Sequence, residues 1–149
     1  MLLSTLRGMG QDSTYFRSID ARVDTVAPVH MLQNATYTSN RTVLLIRESN
    51  RSFCILNPSD SSVAIDRIDA QMDNVGSEIF VNGSWQTLQG VNHTYVTCGN
   101  SYWTMNLNPG YFIRFTFRIP DVTGGEAVKV RVFGTCNKQT IYSEPWIIH

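Results

Sequence analysis

Only three cysteines, Cys54, Cys98 and Cys136, occur in the 149 residues, and no two of them share a CxxC spacing. That excludes a zinc ribbon and a disulfide framework as the basis of the fold. Cys98 in "VTCGN" and Cys136 in "GTCNK" each stand where a strand gives way to a turn, which makes them the one candidate disulfide; buried free thiols are the alternative. An excess of charge is missing too, since twelve basic and twelve acidic side chains cancel. No global field therefore draws the chain toward nucleic acid or an anionic membrane. The first twenty residues carry only Arg7 and Arg17, so there is no basic arm to neutralise several phosphates at once. No apolar run approaches the roughly 18 residues that a membrane-crossing helix needs. The opening "MLLSTLRGMG" is interrupted by Arg7 and is short for a secretory signal. Residues 1–12 read as an arm or linker on a domain cut from a longer polypeptide.

Catalytic signatures are equally scarce. There is no GxSxG elbow, HExxH helix or glycine-rich phosphate loop. The histidines are His30, His93 and His149, and nothing in their placement favours a Cys–His nucleophile, such as a cleft joining His93 to Cys98 or Cys136. Asp60, Asp66, Asp69 and Asp73 crowd one stretch but lack EF-hand spacing, so they read as solvated strand carboxylates rather than a calcium site. The expectation is a non-enzymatic domain without cofactor or metal.

What is present is apolar and β-prone. Apolar residues make up 42% and charged residues 16%, and the rest is rich in Ser, Thr, Asn and Gly. That composition excludes disorder and suits a strand-and-turn fold. Residues 13–149 are of single-domain size. Extended segments are expected at 14–20, 22–29 with Pro28 at an edge or strand end, 41–47 buried on both sides, and 52–56 after an "ESNR" hairpin loop. Ser61 to Met72 reads as one long strand, bulged near Arg67. Further strands are "SEIFV", "SWQTL", "HTYVT", "SYWTM" and a final "TIYSEPWII", with turns at Asn74, Asn82-Gly83 and Asn108-Pro109-Gly110. Short strands near ten-residue spacing, without room for crossover helices, predict an all-β antiparallel two-sheet sandwich of jelly-roll or immunoglobulin-like order.

The most regular alternation lies in "GYFIRFTFRIP" and "VKVRVFG". Tyr111, Ile113, Phe115, Phe117 and Ile119 form one row, and Phe112, Arg114, Thr116 and Arg118 the other; Val128, Val130 and Val132 alternate with Lys129 and Arg131. Pairing of these strands through Asp121, Gly124 and Gly125 would gather Arg114, Arg118, Lys129 and Arg131 on one outer face. Such a face is either a solvated surface with partners such as Glu126, Asp66 or Asp69, or a ligand surface. Trp85, Tyr102 and Trp103, near Tyr95, stand among polar turns, and exposed aromatic faces there would stack on a sugar ring. With the four cations they complete the ligand-binding candidates. Five sequons, at Asn34, Asn40, Asn50, Asn82 and Asn92, exceed the roughly two expected by chance for a motif this short and are candidate glycosylation sites. Trp146, Ile147 and Ile148 in succession give the last strand two apolar faces and mark a candidate interface for a homo-oligomer.

"SSVAIDRID", "LNPGYFIRFTFRIP" and "VKVRVFGT" resemble strands of the coat-protein β-sandwich domains of small RNA viruses, the protruding domains especially, over roughly Ser61 to Ile148. The resemblance implies a non-catalytic, self-associating module on the virion surface that presents loops to a host receptor, often a glycan. The missing basic arm departs from a complete RNA-packaging coat protein and points to the protruding part. The alternative is a secreted or cell-surface, N-glycosylated β-sandwich domain binding carbohydrate or protein through the Trp85 and Trp103 loops.

Overall fold

The computed structural model describes residues 21–32, 42–68, 70–90, 102–116, 118–120 and 126–149. Among these residues twelve strands follow in chain order: β1 (Arg22–Pro28), β2 (Leu44–Arg47), β3 (Ser52–Asn57), β4 (Val63–Ile68), β5 (Gln71–Met72), β6 (Gly76–Val81), β7 (Ser84–Gly90), β8 (Tyr102–Leu107), β9 (Tyr111–Thr116), β10 (Val128–Cys136), β11 (Gln139–Tyr142) and β12 (Trp146–Ile148). All pairings are antiparallel. They make a seven-stranded sheet, β2-β3-β9-β1-β5-β4-β8, and a five-stranded one in which β11 and β12 both pair with β10, followed by β6 and β7. The two sheets pack as an all-β sandwich, the expected fold class.

The larger sheet is strongly curled. β1 joins β5 through the single register pair Arg22↔Gln71, and only Asn108, Pro109 and Gly110 separate β8 at one edge from β9 well inside the sheet. Gly110 supplies the left-handed backbone (φ 73°) that this tight turn requires. Inside the curl, Phe53, Ile55, Ile65, Leu107, Ile113 and Phe115 meet Val132 of the smaller sheet. A second cluster, Cys54, Leu56 and Phe112 with Val29 and Ala27, lies on the reverse face of β3 and β9. That explains why β2 is apolar on both sides although it is an edge strand: Leu45 enters the main core, while Leu44 and Ile46 pack with the second cluster.

Several expectations are met where turn chemistry is local. "ESNR" closes the β2–β3 hairpin, with Glu48 N–H donating to Ser52 O at 2.9 Å. Asn82 (φ 51°) and Gly83 (φ 79°) take the left-handed pair that a two-residue hairpin turn needs. Pro28 ends β1, which is an interior strand.

Three expectations are corrected. The strands around Phe115 and Val130 do not pair: β9 is already flanked by β3 and β1, and β10 by β6 and the β11/β12 strand. They stand in different layers and form no hairpin with each other. Ser61–Met72 is not one bulged strand, because the chain reverses after Ile68, pairing Arg67↔Met72 and Ile68↔Gln71. Backbone bonds Val23 N to Ala70 O (2.9 Å) and Met72 N to Ala21 O (2.8 Å) fix that corner. The last strand is divided at Ser143–Pro145, where three residues oppose two of β10 between Phe133↔Tyr142 and Val130↔Trp146. Ser143 secures the bulge by accepting the Val132 N–H on its hydroxyl (2.9 Å) while its own N–H bonds Val132 O. The expected strands at 14–20 and 93–97 lie outside the described residues.

Candidate functional site

Because β9 and β10 are in different sheets, the four cations expected on one face are divided. Arg114 stands on the outer face of the larger sheet, Lys129 and Arg131 on that of the smaller sheet, and Arg118 is exposed beyond the end of β9.

Arg114 is half-buried and grips Glu48 with a two-pronged fork, Nε to Oε2 at 2.6 Å and Nη2 to Oε1 at 2.7 Å. Its guanidinium also lies 5.2 Å from the Phe112 ring centre. Hydrogen bonding from Arg114 holds the Glu48 carboxyl below the ordinary range, and Ser52 Oγ adds a 3.0 Å bond. Glu48 therefore stabilises the fold fully above its unfolded-state value. That contribution is lost as pH falls through the lowered folded value. Urea titrations should show wild type losing stability below about pH 5 more steeply than Glu48→Gln, with a difference on the order of 0.5–1 kcal/mol for so accessible a pair. Identical acid limbs would contradict the assignment.

The smaller sheet carries the denser arrangement. Arg131 opposes Glu78 in register and bonds it at 2.6–2.7 Å. Its guanidinium sits between two rings, 4.2 Å from Trp85 on β7 and 3.8 Å from Tyr142 on β11. Phe80 lies 5.2 Å from Trp85, and the Lys129 ammonium is 5.9 Å from Phe80. Strand alternation puts Phe80, Glu78, Trp85, Lys129, Arg131, Tyr142 and Ile147 on one wet face. Phe80, Tyr142 and Ile147 are large apolar side chains left exposed there. Of the candidate interface residues, only Ile147 looks outward; Trp146 and Ile148 pack inward on the core. The physical cause is again the alternation, which overrides the apolar run.

Trp103 and Tyr102, also exposed, sit on β8 at the edge of the other sheet. Trp103 opposes Arg67, whose guanidinium is 4.8 Å from the indole. Burial lowers the Arg67 pKa from its ordinary value. The sequence reading missed Arg67, as well as Glu48 and Glu78, the actual partners of the outer arginines. Of the carboxylates it favoured, Asp66 accepts from Thr104 Oγ1 at 2.8 Å, Glu126 is exposed and Asp69 lies outside the described residues; Asp73, expected to be solvated, is buried and accepts from Asn74 N at 2.9 Å. Among the described residues no group of three metal-ligating side chains comes together.

Cys136 and Cys54 are buried free thiols, and burial pushes both up, Cys136 to about 12. Cys98 and His93 lie outside the described residues, as do the sequons at Asn34, Asn40 and Asn92. Asn50 and Asn82 are exposed at hairpin turns, and Asn50 Oδ1 accepts from Arg47 Nη1 at 2.9 Å. Comparison of the sequence with protein-family models and with curated proteins finds no match.

Proposed function

We propose that the chain is a non-catalytic attachment module of the protruding coat-protein type, which self-associates and meets a host receptor or glycan through the outer face of its five-stranded sheet. The observation that carries this reading is the Trp85–Arg131–Tyr142 stack, buttressed by Glu78 and bordered by exposed Phe80 and Ile147. Rings held in place by a paired cation lose little freedom when a ligand arrives, which favours binding. A sugar's C–H face or an apolar receptor side chain fits the rings, and Lys129 leaves the surface net positive for an acidic group. A two-fold contact centred on this face would set Lys129 and Arg131 against their own copies, so self-association belongs nearer Ile147 at its border.

The test is binding of the multimerised protein to an acidic and neutral glycan panel. Trp85→Ala and Lys129→Glu should each weaken binding at least about tenfold, the equivalent of roughly 1.4 kcal/mol, while thermal unfolding moves little. Unchanged binding by both variants would overturn it, and wild-type binding to no glycan would overturn the glycan as its partner. The second reading, a secreted glycoprotein domain, is favoured by the accessible Asn50 and Asn82 sequons, and a mass shift on enzymatic deglycosylation of the native protein would favour it over the first.

A further inference from the structure

We propose that Arg67 and Trp103 form a separate binding site that takes the carboxylate of an acidic ligand. The contrast among three arginines points there. Arg114 and Arg131, with side chains 27% and 20% exposed, each hold a carboxylate. Arg67, a buried residue with 6% of its whole surface exposed, forms no ion pair among the described residues. A cation largely withdrawn from water without a paired anion is costly, and an incoming carboxylate that reaches its free N–H groups offsets that cost.

The local geometry shows what is left to use. Alternation along β4 aims Arg67 to the same side as Val63 and Ile65, at the end of the core. Nε donates to Gln71 O at 3.0 Å across the β4–β5 turn, and Nη1 makes a weak 3.7 Å contact with Met105 Sδ. Those contacts occupy two of the five N–H groups of a guanidinium. The other three have no acceptor among the described residues, and a carboxylate matches such a planar set with two parallel bonds. Asp66, the adjacent carboxylate, points to the opposite face and is bound to Thr104. Trp103, beside the guanidinium, is 46% exposed, and Tyr102 is its exposed neighbour on the strand. The ligand therefore carries a carboxylate with a flat or hydrocarbon portion next to it. This site lies on the other sheet from the attachment face and does not rest on that proposal.

Benzoate is the probe, and benzamide, with the same shape and no charge, is the control. The chain has three tryptophans, so the Trp103 indole N–H signal is identified as the one that Trp103→Phe removes. Benzoate should shift it saturably, and benzamide should bind at least about tenfold more weakly. Arg67→Gln should lose at least about tenfold, and Arg67→Lys, which keeps the charge without the fork, should fall between. A signal that benzoate leaves unmoved up to about 50 mM, equal binding of benzamide, or full affinity in Arg67→Gln would overturn the proposal. Should Arg67→Gln fail to fold, unchanged affinity in Arg67→Lys would overturn the fork. Sedimentation of wild type separates the sources of the carboxylate. Benzoate that dissociates an oligomer places it on a second copy, and benzoate that binds without altering sedimentation places it on a separate ligand.

Discussion

Phe53→Ala is expected to cost about 3–5 kcal/mol in urea unfolding, and on the order of 10 °C in melting temperature for a chain of this size. Phe53 is fully buried on β3, its ring 5.9 Å from Phe115 in the same sheet and 6.2 Å from Trp146 in the other. It is thus one of the side chains through which the layers touch. Removing the ring leaves a cavity that strands tied by ladders on both sides cannot close. Phe53→Leu, which fills much of that space, should lose far less, about 1–1.5 kcal/mol. Ile147→Ala, on the wet face, should fall within about 0.5 kcal/mol of wild type. A Phe53→Ala cost below about 1 kcal/mol would mean that the two sheets are held together elsewhere. A fall of 3–5 kcal/mol is a large share of the 5–15 kcal/mol typical of domains, so this variant should also lose any binding that depends on the positions of β10 and β12.

The rows of alternating residues disclosed which side of a strand is apolar, and that carried the fold class. Phe115 and Val130 do face the interior, and Arg114 and Arg131 do reach the two outer surfaces. Alternation carries no information about which strand lies alongside. β9 and β10 are close in sequence and would have suited a hairpin, but each is a central strand of its own sheet. The error propagated to the site, since one imagined cationic face became two faces with different partners. Glu48 and Glu78 escaped notice because the arginines they pair with are 66 and 53 residues away in sequence, respectively.

Arg67 escaped notice for a different reason. At that point the alternation of "SSVAIDRIDAQM" breaks down, which reads as a bulge in a continuing strand. The chain in fact turns back, and Arg67 occupies the position that the alternation assigns to the core. A charged residue in an apolar row was the available signal. Trp146 and Ile148 show the converse: three apolar residues in succession suggested an exposed interface, yet the strand's pleat turned two of them inward and left Ile147 alone outside. A bulge at Ser143–Pro145 sets that phase, and only the hydrogen-bond pattern reveals it.

Asn57→Ala should be a costly polar substitution, at about 1–3 kcal/mol. The sequence marks Asn57-Pro58-Ser59-Asp60 as a turn and gives no sign that the asparagine is fully buried. Its Nδ2 donates to Ser61 O at 2.8 Å and to Leu107 O at 2.9 Å, and its Oδ1 accepts from Ser59 N at 3.2 Å. Gly110 N donates to its carbonyl at 2.8 Å. One side chain thus ties the β3–β4 turn to the end of β8, where the larger sheet curls back on itself. Alanine takes the donor from Leu107 O at a buried place, while Ser61 O keeps the Ser59 hydroxyl at 2.9 Å. Asn57→Asp separates this account from a simple packing loss, because a carboxylate of the same size faces those carbonyls with no proton to donate. At neutral pH it should be at least as unstable as Asn57→Ala. Its carboxyl should titrate at higher pH in the folded than in the unfolded chain, so the folded state takes up protons and the variant recovers part of its stability toward acid, opposite to the Glu48 limb of wild type. Urea midpoints of Asn57→Asp that fall in parallel with wild type between neutral pH and pH 4 would show that Asn57 acts by shape and not by its two donated bonds.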